Sequence, residues 1–435
     1  MTAPDRTVAP PLHPLADINI APAERIELDG GGSLTAVRGG DQPVMSLSLL
    51  WEGGTLDCPL REAMAVMGDC ITEGTDDMSA DEVADAVDYA GARLSFRPAD
   101  HYSGLSLVCL SHRVTDVLPV LRSVITAPAF TAGSVETARA RLGAATAVTR
   151  SKVSDRAERA LKPMITGSDN PAATVTMPER FETVSPDDVR TAWQATIGRG
   201  RRGMQAFLGG SFSDKTLAAI IDSLTALPSG ESSPSPIAVR TFCAEPPRRI
   251  DITDSESLQS AVAMGRPTIG RDHTDYIPLR IAIEALGGYF GSRLMSNIRE
   301  KRGLTYGISA RQLGTYEGAY AWIGAQCNSL NVDEVIEQTL AEVSNLAANP
   351  PRGEELERLR LHAWSSLASQ ADTPLSTIEY YITRLTVGTP ADYFARQMEA
   401  IRALDSDTIA RMAATYLTGD WAIATCGPSA PATQA

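Results

Sequence analysis

The sequence predicts an α+β fold built as two homologous halves, each a mainly antiparallel sheet packed with helices. Three observations carry this. The segments SPDDVRTAWQATIGRGRRGMQAFLGG (185–210) and DSDTIARMAATYLTGDWAIATCGP (405–428) read as one helix-then-strand plan written twice. The stretch LPSGESSPSPIAVR (227–240), rich in Ser, Pro and Gly, lies near the middle of the chain, where an inter-half linker would. Strand-like runs stand in hairpin pairs apart from long helices, which favours α+β layers over alternating βαβ units. With 435 residues the chain is also too long for one ordinary hydrophobic core. The expected organisation is a flexible arm (1–24), a first half (25–226), a linker (227–246), a second half (247–428) and a disordered tail (429–435).

In the first half VMSLSLLW is a strand, and a helix follows from about Leu60 to Thr72 with Leu60, Met64, Met67 and Ile71 as its apolar stripe. Ser79 before ADEV predicts the N-cap of the next helix. ARLSF and SGLSLVCL read as strands, HRVTDVLPVLRSVI as a helix, and a further helix is expected from Val135 to about Met164. The half closes on SPDDVRTAWQATI and the strand GMQAFLGG. The second half offers strand QSAVAMG, a helix from about Tyr276 to Leu286, a helix from about Ser292 to Arg302, and strands LTYGIS and GAYAWIGAQC. Helices NVDEVIEQTLAEVSNL, GEELERLRLHAWSSLASQ and DSDTIARMAATYL precede the closing strand WAIATCG.

Composition excludes several classes. No apolar run is long enough to cross a bilayer, and the first twenty residues lack the apolar core of a secretory signal, so a cytoplasmic protein without membrane contact is expected. The net charge of −14, from 39 Lys plus Arg against 53 Asp plus Glu, argues against a nucleic-acid partner. Six scattered cysteines include no C-x-x-C pair, and none of the five histidines shares a helical ligand spacing with another, so neither a disulfide framework nor a metal site is expected in this chain.

One corner stands out. In NIREKRGLTYGIS (297–309) Arg299 falls in a last helical turn, Gly303 suits the left-handed residue that ends a helix, and Tyr306 opens a strand. Two donors from different elements can converge there, a guanidinium with fixed N–H groups and a phenol with one hydroxyl. Taken alone, the arginine equally offsets the helix dipole and the tyrosine is a good strand former. Gly287, Gly288 and Gly291 lack the strand and spacing of a dinucleotide fingerprint and read as close packing or a bend.

With these pieces in order, the chain resembles the pitrilysin and insulinase family of zinc metallopeptidases, especially short bacterial subunits similar to mitochondrial processing peptidase. The resemblance runs from about Arg25 to Pro428 and rests on element order, on GGYFGSRLMSNIREKRGLTYGISA (287–310) and on EGT (73–75) after the first helix. In catalytic members that helix carries H-x-x-E-H, two zinc ligands and a glutamate that activates water. Anchored on EGT, those positions are Ala65, Gly68 and Asp69, and the more distant ligand falls near Ala145 and Thr146. Ala and Gly side chains have no donor atoms and one Asp cannot hold zinc, so no cofactor is expected here. Asp69 and Glu73, at i and i+4, are expected to form a solvated or capped acidic face.

The resemblance implies that Arg299 and Tyr306 match the pair which the metal-free half supplies to hold substrate and stabilise the oxyanion. It further implies a heterodimer with a homologous zinc-bearing subunit, inactive alone, that hydrolyses peptides; the alternative is a silent structural or assembly protein of the same fold. Pro98 lacks an N–H and would interrupt peptide pairing along GARLSFRPADHYSG (91–104).

Overall fold

The computed structural model describes residues 7, 16–230, 241–243 and 249–428. The tail and most of the linker lie outside the described residues, as do residues 1–6 and 8–15 of the arm.

Six strands form the first sheet: β1 (Glu24–Glu27), β2 (Ser33–Arg38), β3 (Val44–Glu52), β4 (Arg93–Pro98), β5 (Tyr102–Leu110) and β6 (Gln205–Gly210), in the order β1-β2-β6-β3-β5-β4. Five form the second: β7 (Arg249–Thr253), β8 (Ser260–Thr268), β9 (Thr305–Gly314), β10 (Ala319–Cys327) and β11 (Ala422–Gly427), in the order β7-β11-β8-β10-β9. The duplication is exact in topology once β1 is set aside. β2 runs parallel to β6 as β7 does to β11, and every other neighbour is antiparallel. Strands β4 and β9 are the equivalent free edges.

The helices of the first half are α1 (Arg61–Cys70), α2 (Ala80–Tyr89), α3 (Val114–Thr126), α4 (Ala132–Arg150), α5 (Val153–Thr166), α6 (Pro178–Glu182), α7 (Pro186–Ala195) and α8 (Asp214–Thr225). Those of the second are α9 (Tyr276–Ile283), α10 (Val332–Ala348), α11 (Glu354–Ala368), α12 (Pro374–Val387), α13 (Tyr393–Arg402) and α14 (Ser406–Met412). Ser79 caps α2 reciprocally with Glu82, and Ser185 caps α7 with Asp188. No described helix is long and apolar enough to cross a membrane.

Alternation puts one face of each sheet on its own helical layer. Leu47, Leu49 and Trp51 of β3 meet Met64, Met67 and Ile71 of the α1 region in the first core. Met264 of β8 meets Leu279, Leu286 and Ile298 in the second. The opposite faces are covered crosswise. Helix α5, from the first half, lays Ala157, Leu161 and Ile165 on Ala261, Ala263, Ala422 and Ala424 of the second sheet. Helix α12, from the second half, lays Ile378 and Ile382 on Val37, Leu50 and Phe207 of the first. Glycines admit this approach: a Cβ on Gly265 would stand 2.1 Å from Ile165, and one on Gly209 2.6 Å from Ile378.

Two expectations fail here. The helix expected over 135–164 is two helices, because Lys152 is extended (φ −71°, ψ 133°). That break lets α4 stay on the first half while α5 crosses to the other sheet. Residues 16–23 of the arm are packed, with Ile18 and Ile20 against the second core and the Tyr381 hydroxyl donating to the Ala21 carbonyl at 3.1 Å. Their apolar side chains find a surface that single-chain composition does not reveal.

Candidate functional site

The helix that carries Arg299 widens into a π-helical turn over Met295–Lys301. Widened turns of this kind are rare and frequent at functional sites. Gly303 then closes it at φ +64°, with the Gly303 N–H donating to Arg299 and the Leu304 N–H to Ile298, both at 3.0 Å. The five-to-one bond from Gly303, with the wider bond from Leu304 that the π-helical turn imposes, is the glycine-terminated end that the sequence indicates. They set Tyr306 at the start of edge strand β9, 91% exposed.

The structure brings the two residues together. The Arg299 guanidinium lies 5.5 Å from the centre of the Tyr306 ring and 4.7 Å from that of Phe290, so the cation is held between two aromatic faces. Its side chain is 28% exposed and reaches Glu300 at 3.5 Å. Tyr306 and Gly307 stand on the wall of a cavity of about 610 Å³ floored by Trp322 and Gly324 of β10. Neither side chain is absorbed by the core: Tyr306 is exposed and Arg299 is partly so. Phe290, 66% exposed, is not singled out in the sequence, where GGYFGSR counts for its glycines and as part of the resembling stretch 287–310. An exposed aromatic nine residues before an arginine was the signal available.

The motif positions on α1 have a different fate. Ala65 packs partly buried on the first core. Gly68 faces Phe96 of β4 so closely that a Cβ would stand 2.1 Å from the ring. Of the solvated and the capped alternatives for Asp69, the solvated one fails: Asp69 is ion-paired with Arg141 of α4, whose Nε donates to it at 3.1 Å. The reason is that α4 packs along α1 and brings a guanidinium across a 72-residue separation that helical spacing cannot show. Ala145 is exposed on α4 with no donor to offer. Among the described residues no three His, Cys, Asp or Glu side chains gather as a metal-holding group. An aromatic ring and a cation stand where the H-x-x-E-H positions lie, so the residues present do not fit zinc.

Sequence reasoning missed a second cluster, at the junction of the halves. His101, 1% exposed, lies between Asp57 at 3.0 Å on Nδ1 and Glu317 at 2.6 Å on Nε2. Burial alone would lower its pKa, but hydrogen bonds to both carboxylates and their charges raise it to about 9, so the ring is a cation that donates on both sides. Tyr316 meets its edge at 5.4 Å. Nearby, Arg97 of β4 takes Glu379 of α12 with two 2.7 Å bonds. The partners of His101 are 44 and 216 residues away, so no local pattern could expose them.

Comparison with known proteins follows the same lines. Residues 183–361 match the family model described as the peptidase M16 inactive domain. A non-peptidase homologue from Helicobacter pylori, YmxG, is 23% identical over 264 residues, which span 60% of this chain and 60% of that protein. A crystal structure of a peptidase M16 inactive domain from Pseudomonas fluorescens superposes with a TM-score of 0.83 at 20% identity, covering 94% of this chain and 98% of the other. A Helicobacter pylori protease gives 0.84 at 12% identity over 94% and 100%. These two structures share the fold. Residues 183–361 of the chain are thus similar to the peptidase M16 inactive domain, and the fold of the whole chain is the one these structures share.

Proposed function

We propose that this chain is the non-catalytic subunit of a heterodimeric zinc metallopeptidase, acting in the cytoplasm beside a homologous zinc-bearing subunit. The metal and its ligands belong to that partner, and this chain supplies Arg299 and Tyr306 across the interface. One observation carries the reading: Arg299 stands against Tyr306, which lines a cavity, while at the zinc positions of the first half Ala65 and Gly68 have no donor and Asp69 is taken by Arg141.

A guanidinium and a phenol aimed at one carbonyl oxygen bind it as a peptide and bind it more strongly as it becomes an oxyanion. Phe290 and Tyr306 restrict the guanidinium before substrate arrives, so little freedom is lost when the charge develops. The substrate class is oligopeptides or unfolded segments small enough to enter a chamber between subunits.

The test mixes the purified chain with the zinc-bearing homologue that co-purifies from the source organism and follows a quenched peptide. Arg299→Ala or Tyr306→Phe should lower the rate by about 10² to 10³, as loss of one oxyanion donor does, with association unchanged. Full activity in both variants would remove the in-trans role and leave a structural or assembly protein.

A further inference from the structure

Helix α5 covers only part of the second sheet. It rests on β7, β8 and β11 and reaches Tyr320 and Trp322 of β10 only with its margin, so that the outer face towards edge strand β9 is left open. Two adjoining cavities open along that strip, the one of about 610 Å³ at Tyr306 and another of about 350 Å³, with Glu158 and Trp322 on the wall of both. Their charges differ. Glu158 is the one charged residue lining the first, whereas Arg150, Arg159, Lys162 and Arg311 outnumber Asp155 and Glu158 in the second. In a chain of net charge −14 that is a local reversal of sign.

Arg150 and Arg159 are both engaged by Asp155, each at 2.8 Å. Lys162 and Arg311 face Glu158 electrostatically, yet among the described residues no ion pair joins either of them to it. Desolvation, reinforced by Asp155, raises the Glu158 pKa, and Lys162 and Arg311 pull it the other way.

The duplicated plan supplies an internal comparison. Glu379 is the sixth residue of α12 and Glu158 the sixth of α5, two helices of 14 residues that play the same crosswise role. Glu379 closes its strip by gripping Arg97 of edge strand β4 with two 2.7 Å bonds. Arg311, on the equivalent edge strand β9, is left exposed and unclaimed. The first half satisfies its edge arginine internally; the second holds it ready for a carboxylate from outside.

We propose that the strip along α5 binds an extended peptide whose acidic side chain seats between Lys162 and Arg311, laying the neighbouring backbone across Tyr306. This rests on the proposed function and names its substrate class: peptides with Asp or Glu near the bond to be cut.

The chain alone suffices for the test. Three fluorescein-labelled peptides, blocked at both ends and alike except for a central Glu-Glu, Gln-Gln or Lys-Lys, are titrated by fluorescence anisotropy at low salt. The Glu-Glu peptide should bind about tenfold more tightly than either of the others, a gap that salt reduces. Lys162→Glu with Arg311→Glu, both exposed and so compatible with folding, should abolish the preference, and Glu158→Gln should strengthen it. Equal binding of the three peptides, or a preference that survives the double reversal, would overturn the proposal. So would strong binding that appears only when the carboxyl terminus is left free, since that is capture of a chain end. Hydrolysis is not read in this assay, so its failure leaves the Arg299 and Tyr306 test untouched, and failure of that test leaves this one standing.

Discussion

Protonated His101 clamps the two halves, and its removal should be felt across the whole molecule. A neutral imidazole has one donor and one acceptor, so it can donate to Asp57 or to Glu317 but not to both. The cation donates to each. Its pKa rises from 6.5 to about 9 on folding, and at about 1.36 kcal/mol per pH unit this makes the folded state about 3 kcal/mol more stable with the ring charged. Because the folded value is the higher one, that contribution is complete below about pH 6.5 and is lost as pH rises through about 9. His101→Gln removes the charge and leaves the buried Glu317 carboxylate, and the more exposed Asp57, without a cationic partner, a loss of about 3 kcal/mol. Urea unfolding followed by circular dichroism, on wild type and variant at pH 6.5 and pH 9.5, measures both effects. The gap between the proteins should be widest at pH 6.5 and shrink to about 1 kcal/mol at pH 9.5, where only a neutral hydrogen bond separates them. A variant as stable as wild type at pH 6.5, or a gap that does not change with pH, would refute a charged clamp.

Other outcomes follow from the same geometry. Gly68→Glu, which restores one motif residue, should lower stability by about 1 to 3 kcal/mol because its Cβ meets the Phe96 ring; Phe96→Ala in the same chain should recover part of that loss in thermal melts, and no recovery would show that the ring is not the obstacle. Gly303→Ala, at φ +64° with open space around its Cβ, should cost about 1 kcal/mol from backbone strain alone, visible as a small drop in Tm. A larger effect of that substitution on peptide hydrolysis in the mixed assay than on Tm would show that the corner positions Tyr306. Arg97→Ala breaks a half-exposed pair between the halves and should cost no more than about 1 kcal/mol, well below His101→Gln under identical conditions.

Local patterns announced much of this molecule. Period-2 runs such as VMSLSLLW and caps such as Ser79 gave elements within a residue or two, since each depends on neighbours in sequence. The helix-glycine-strand corner was legible for the same reason, and so was the pairing of Arg299 with Tyr306. What the chain hid is what distance assembles. Whether Asp69 is solvated or capped stayed open because Arg141 lies on another helix, and His101 looked isolated because its partners come from a loop and from the other half. Strands β1, β2 and β7, of four to six residues, escaped notice, and so did helices α6, α8, α12 and α13. The crosswise placement of α5, read as part of a longer helix, and of α12 escaped too, since an amphipathic helix does not say which sheet it will cover.

That exchange of helices has a consequence for how such a chain can change over time. A half that has lost its chemistry would ordinarily be free to shrink or disappear, yet here it roofs the sheet beside which the arginine and tyrosine stand, and is roofed in return. Deleting either half would strip an apolar surface from the survivor. Inert ground is thereby kept under selection by its neighbour's need for shelter.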